Sequence, residues 1–227
     1  MLRKLAVSAV GAGALALVAG SPAFALTGTW TYSGPTTVTA SSSNLIFQAG
    51  TLPVTAACTS ATATGTRAAT SGTWVSTPPS SGGTPVITGL AITTSGCATT
   101  NITPQMTFNL TQNGTAQLYV TGVTAGSPSV TPGEIRGLSV KGTALGGLCT
   151  VQVDGPGGAN SKTGVIGGTY TTNGTTGTIT ATGASNMTIK SASALCTLGG
   201  LAVGDAATLS GSFSVTSAIP TITATSP

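Results

Sequence analysis

The sequence predicts an all-β protein, an antiparallel β-sandwich or barrel fastened by two disulfides. Three observations predict it. Thr, Ser and Gly dominate the chain, with 33 glycines in 227 residues, while the Lys, Glu, Gln and Arg that normally line exposed helix faces are scarce. Short apolar segments of period two recur between Gly, Pro, Asn and Asp, and no segment has a convincing helical period. Four cysteines, Cys58, Cys97, Cys149 and Cys196, form an even set with no CxxC pair among them.

The N-terminus reads as an export signal. Arg3 and Lys4 form a positive start, Leu5 to Ala19 an apolar stretch, Ser21-Pro22 a helix break, and Ala23-Phe24-Ala25 a small-residue cleavage site. The apolar run is shorter than the ~20 residues of a membrane span, so no stable membrane anchor is expected. The expected organisation is a signal peptide over 1–25 and a secreted β domain over 26–227, with sub-units 26–128 and 129–227.

The strands follow in order. Gly28–Tyr32 places Trp30 and Tyr32 on one face, and Asn44–Gln48 is a second candidate. Pro53 makes Thr51–Ala57 an edge strand or a strand start. Thr77–Pro85, with Pro78-Pro79 and Gly82-Gly83, reads as a linker or long loop, followed by a strand over Val86–Thr93.

Asn113-Gly114 predicts a hairpin. A three-residue loop, Asn113–Thr115, sets Leu110 against Leu118 and Phe108 against Val120, which keeps the apolar faces matched. A break is expected near Gly126–Pro132. Beyond it lie Gly133–Thr143, with a bulge near Gly137 where the apolar side switches, and Leu148–Val153. Asn173-Gly174 predicts a two-residue turn, with Tyr170 opposite Gly177 and Gly168 opposite Ile179. Ala207–Thr216 alternates strictly: Ala207, Leu209, Phe213 and Val215 face one way, hydroxyls the other.

Three cysteine pairings exist. Each half has one Cys beside a strand candidate and a second further on, a weak pseudo-repeat that favours Cys58–Cys97 and Cys149–Cys196.

Composition excludes several function classes. There is no histidine, so neither Ser-His-Asp nor Cys-His catalysis is available, nor a His-based metal site. Loss of Arg3 and Lys4 with the leader lowers the formal charge from +4 to +2, too little to neutralise a run of phosphates, and no nucleic-acid partner is expected. Glu134, Asp154 and Asp205 are the only carboxylic side chains; Asp154 and Asp205 read as turn residues and Glu134 as a partner of Arg136. Ser139/Lys141, Ser161/Lys162 and Lys190/Ser191 lack the SxxK spacing of a serine–lysine enzyme. No glycine cluster forms a phosphate cradle before a helix. No enzyme, cofactor or metal site is expected.

Trp30, Tyr32 and Trp74 are the candidate ligand-binding residues, since exposed rings would stack on sugars; the competing expectation is that they anchor the core. The expected role is a non-enzymatic secreted or cell-envelope-associated structural or interaction protein, loosely wall-associated at most, with a carbohydrate- or small-ligand-binding module as the alternative. Cell-wall glycan and self-association are the partners considered, the latter because few charges are available to block strand edges. A barrel inserted in an outer lipid layer fits poorly, because Thr-rich strands lack an apolar exterior.

Three stretches, CTVQVDG over Cys149–Gly155, GTYTT over Gly168–Thr172 and GDAATLSGSFSV over Gly204–Val215, together with PTIT at Pro220–Thr223, resemble a family of mostly uncharacterised small secreted proteins of high-GC Gram-positive bacteria, the actinobacteria. Cys196 falls where that family also has a cysteine. Residues 59 to 96 and 101 to 132 do not share the likeness. The resemblance implies export and an all-β fold, and carries no activity with it.

Overall fold

The computed structural model describes residues 26–50, 54–76, 82–101, 103 and 105–227. The leader over 1–25, Pro53 and residues 77–81 of the expected linker lie outside them.

The strands are β1 (Thr27–Ser33), β2 (Thr37–Ser42), β3 (Leu45–Ala49), β4 (Val54–Arg67), β5 (Ser71–Val75), β6 (Pro85–Thr99), β7 (Thr107–Gln112), β8 (Ala116–Val120), β9 (Ser129–Ala144), β10 (Cys149–Asp154), β11 (Gly164–Thr172), β12 (Gly177–Ser185), β13 (Thr188–Ala192), β14 (Ala207–Val215) and β15 (Thr221–Thr225). One short helix, α1 (Ala194–Leu198), corrects the expectation of none. Its five residues are too few to show a helical period.

Twelve of these strands form one antiparallel sheet that closes into an eight-stranded barrel. Several barrel strands are long and interrupted. β2 and β3 both pair with β4 in one register, so they are two parts of one strand broken at Ser43-Asn44. β10 and β11 both run antiparallel to β9, and β7 and β8 likewise both lie between β6 and β9. Round the barrel the order is β2/β3, β4, β6, β7/β8, β9, β10/β11, β12 and β14, and β14 closes the circle on β2 and β3. Segments 26–128 and 129–227 therefore contribute to one closed sheet, joined where β9 pairs with β7 and β8.

Asn113-Gly114 is not a hairpin: β7 and β8 run in the same direction and do not pair. The turn residues interrupt a strand instead. At the gap the Gln112 carboxamide stands in for missing backbone pairing. Its Oε1 accepts from Ile92 N at 2.7 Å and its Nε2 donates to Leu90 O at 2.9 Å. Asn173-Gly174 does join a hairpin, but through four residues rather than two. Thr172 pairs with Gly177 and Tyr170 with Ile179. A shift of two leaves every side chain on its expected face. The longer loop is held by Asn173 Oδ1, which accepts from the backbone N–H groups of Thr175 and Thr176. The bulge at Gly137 is present, at φ +84°, where the β9–β11 register shifts.

Small and medium apolar side chains fill the barrel. Leu45, Leu138, Val151, Val153, Ile166 and Ile189 are nearly inaccessible, and Ala, Val and Phe complete the packing. Eight strands enclose just enough room for side chains. The outer positions of β4, β12 and β14 are mostly Thr and Ser.

The two ends of the barrel differ. β1, β5 and β15 leave it to form a separate three-stranded sheet, ordered β15-β1-β5. Its Tyr32 and Ile222 reach the barrel interior beside Val38, Leu118, Tyr170 and Val215. Within it, Trp30 pairs with Gly72 and Trp74 with Gly28, so each indole covers the glycine across from it. A Cβ on Gly28 would collide with Thr225 O and with the Trp74 indole. The other end carries both disulfides, Cys58–Cys97 and Cys149–Cys196, the favoured pairing.

Two outcomes test this packing. Gly28→Ala should cost about 1–3 kcal/mol, the typical penalty of overpacking, read as a lower midpoint in urea unfolding. Gln112→Ala should cost about 1–3 kcal/mol by leaving Leu90 O and Ile92 N unpaired, read in the same titration.

Candidate functional site

The aromatic candidates lie in the core. Trp30, Tyr32 and Trp74 are 1%, 5% and 1% exposed, so none offers a ring face to a sugar. Trp74 Nε1 donates to Thr225 O at 3.0 Å and the Tyr32 hydroxyl to Pro35 O at 2.9 Å. Trp30 Nε1 is buried without a partner. The alternation that puts Trp30 and Tyr32 on one face cannot say whether that face is wet, and here the barrel covers it.

Among the described residues, voids of about 30, 20 and 20 Å³ lie between core side chains, each enough for a water molecule or two. A wider concavity, about 590 Å³, lies at the disulfide end between Met106, Phe108 and the Leu145–Gly147 turn. It opens to solvent and has no ionisable side chain among its lining residues.

The three carboxylates each have local partners. Glu134 on β9 is 7% exposed and accepts from Arg136 Nε at 3.0 Å. The Arg136 guanidinium also lies 3.9 Å from the centroid of the Tyr119 ring and donates to Gly82 O at 2.8 Å. This places Arg136 as a clamp between β8, β9 and the segment before β6. Asp205 Oδ2 accepts from Ala202 N at 2.9 Å, closing the turn before β14.

Asp154 is the most enclosed. It ends β10 at 0% exposure, and its carboxylate gathers the following loop onto the barrel. Oδ1 accepts from Gly155 N at 2.8 Å, Ser161 Oγ at 2.9 Å and Thr163 N at 3.0 Å; Oδ2 accepts from Lys162 N at 3.1 Å. Burial pushes its pKa up, but hydrogen bonds from Thr163, Lys162, Ser139 and Ser161 outweigh burial and hold it below the ordinary 3.8. Sequence reasoning recognised the turn but not the staple, because the donors come from seven to nine residues downstream and from β9.

Ser139 completes this cluster. It is fully buried, donates a hydrogen bond to the Asp154 carboxylate and accepts one from Gln152 Nε2 at 2.8 Å. Lys141, two residues on, is exposed on the outer face. A buried, doubly bonded hydroxyl is positioned to brace strands, not to meet a substrate. Among the described residues, no group of three or more Cys, Asp or Glu side chains is placed to hold a metal ion.

No protein-family model, curated protein or solved structure matches this chain.

The Asp154 staple sets an acid limit on stability. Its folded pKa is depressed, so the stabilisation is fully present above the unfolded value and is lost as pH falls through the folded one. Unfolding free energy should therefore hold steady from about pH 8 to pH 5 and decline below about pH 4. Asp154→Asn should be less stable at neutral pH and should lose most of that acid slope, both read from urea titrations at each pH.

Proposed function

We propose that this is a non-enzymatic, exported structural or interaction protein that works at or near the cell envelope. The observation that carries this reading is a closed barrel with a filled interior, an exterior rich in hydroxyls, and polar clusters spent on holding strands and loops together. The two disulfides fit an oxidising compartment outside the cytosol. No described helix is long and apolar enough to cross a membrane. The polarity of the barrel, apolar inside and Thr/Ser outside, is the reverse of a lipid-spanning barrel.

The surface suits an extracellular setting of changing pH and salt. No histidine is present to titrate near neutrality. Burial pushes the Tyr32 and Tyr170 phenols up, away from the physiological range; Arg67 only partly offsets this at Tyr32. With so few exposed ions, ionic screening has little to act on. The alternative of a carbohydrate module built on Trp30, Tyr32 and Trp74 draws no support from rings packed in the core.

Fractionation of a producing culture into medium, wall and membrane tests the proposal. The expected outcome is recovery from medium or from a salt-washed wall without detergent, with a mass short of the leader over 1–25. A protein retained in the cytosol, or released only by detergent that dissolves integral proteins, would remove the envelope reading. Titration with wall glycans should leave tryptophan fluorescence unchanged.

A further inference from the structure

The described residues contain seven markedly exposed large hydrophobic side chains: Leu26, Val123, Leu145, Leu148, Leu195, Leu198 and Val203. Five of them gather at the disulfide end. Leu145 and Leu148 sit on the turn between β9 and β10, Leu195 and Leu198 on α1, and Val203 on the loop after it. Their exposures are 48%, 69%, 39%, 85% and 65%.

The turn and helix are fastened to each other. Cys149, next to Leu148, is bonded to Cys196, next to Leu195. Ser193 Oγ donates to Leu148 O at 2.8 Å and accepts from Thr150 N at 3.0 Å. The turn is also built to project. Leu145, Gly146 and Gly147 all have positive φ, at 52°, 67° and 95°, and a Cβ on either glycine would meet nothing within 4 Å. A leucine held in the left-handed region is uncommon, since its Cβ crowds the backbone there. The disulfide and Ser193 hold this turn against the start of α1.

No residue from Thr143 to Thr150, or from Ser193 to Val203, carries a charge. The nearest charges along the entering strands are cationic: Lys141, exposed on β9, and Lys190, half-buried on β13. Asp205 follows the patch, with one carboxylate oxygen taken by Ala202 N. An uncharged apolar tip with lysines on its flanks is complementary to a lipid layer with anionic headgroups. Five side chains at these exposures present on the order of 500 Å² of apolar surface. That size matches the largest patches seen on monomers, which are often functional.

We propose that this end of the barrel dips into a lipid surface, with Leu145, Leu148, Leu195 and Leu198 entering the acyl region and Lys141 and Lys190 meeting anionic headgroups. This deepens the envelope role by naming its partner and rests on that role only for where the lipid is met. Binding is peripheral and reversible, since the insertion is a few side chains deep.

Flotation of the full chain with phosphatidylcholine vesicles, and with vesicles of phosphatidylcholine and phosphatidylglycerol, tests it. Leu148→Ser/Leu198→Ser changes the two most exposed leucines of the tip, so its thermal melt should match the parent. It should lose at least tenfold in vesicle partitioning. Both proteins carry the same N-terminal segment, so their difference reads the tip alone. Lys141→Gln/Lys190→Gln should weaken binding to the anionic vesicles and leave binding to the neutral ones as it was. Equal partitioning of parent and leucine variant overturns the proposal. So does a concentration-dependent dimer without vesicles that the leucine variant abolishes, which would assign the tip to self-association. Equal loss on both vesicle types for the lysine variant overturns the headgroup contacts. None of these results depends on where fractionation finds the protein.

Discussion

Pairing of β14 with β2 and β3 closes the sheet, and closure governs how this chain satisfies its backbone. An open sheet exposes two rows of unpaired N–H and C=O groups, and proteins commonly shield such edges with charged side chains. This chain has few charges to spend. The closing contact of β14 on β2 and β3 gives those edges partners, and the strands left outside the barrel are covered locally. On β15, Ala224 O accepts from Thr124 N; on β13, Ile189 N donates to Asp205 O; on β5, Thr73 O accepts from Thr84 N.

Closure also explains how a chain poor in large side chains makes a core. An eight-stranded barrel has a narrow interior, which Ala, Val and Leu can fill with a few Phe and Tyr. Long strands must then coil strongly, and the interruptions at Ser43-Asn44 and Asn113–Thr115 let them do so. Gln112 repairs the hydrogen bonds that one such break removes, and Asp154 does the same for the loop between β10 and β11. The polar residues that look most like chemistry in the sequence are those that keep the backbone satisfied where the ladder fails.

The hairpin signals show where local reading stops. At Asn173-Gly174 the sequence indicated a hairpin and the correct face for Tyr170 and Ile179. Loop length escaped it, because slipping by two residues conserves both faces and only pairing with β9 and β14 selects between registers. At Asn113-Gly114 the same dipeptide breaks a continuous strand. β6 and β9 already flank both β7 and β8, so no edge remains for the two to pair with each other. The candidate site was less legible than the fold. Trp30 and Trp74 alternate correctly for either role, and only the barrel above them decides for burial. The apolar end gave no signal, since its five side chains come from two stretches, 145–148 and 195–203, that a disulfide brings together.

The sequence by itself determined the strand content, the inward faces of strands such as Ala207–Val215, the bulge at Gly137 and the poverty of titratable chemistry. These follow from residue type and spacing within a single segment. Tertiary structure alone decided that the sheet closes, that Asp154 is buried beneath a loop, and that the leucines of one end share a surface. Each of those depends on which distant segment lies alongside, and a period-two pattern specifies a strand's face without naming its neighbour.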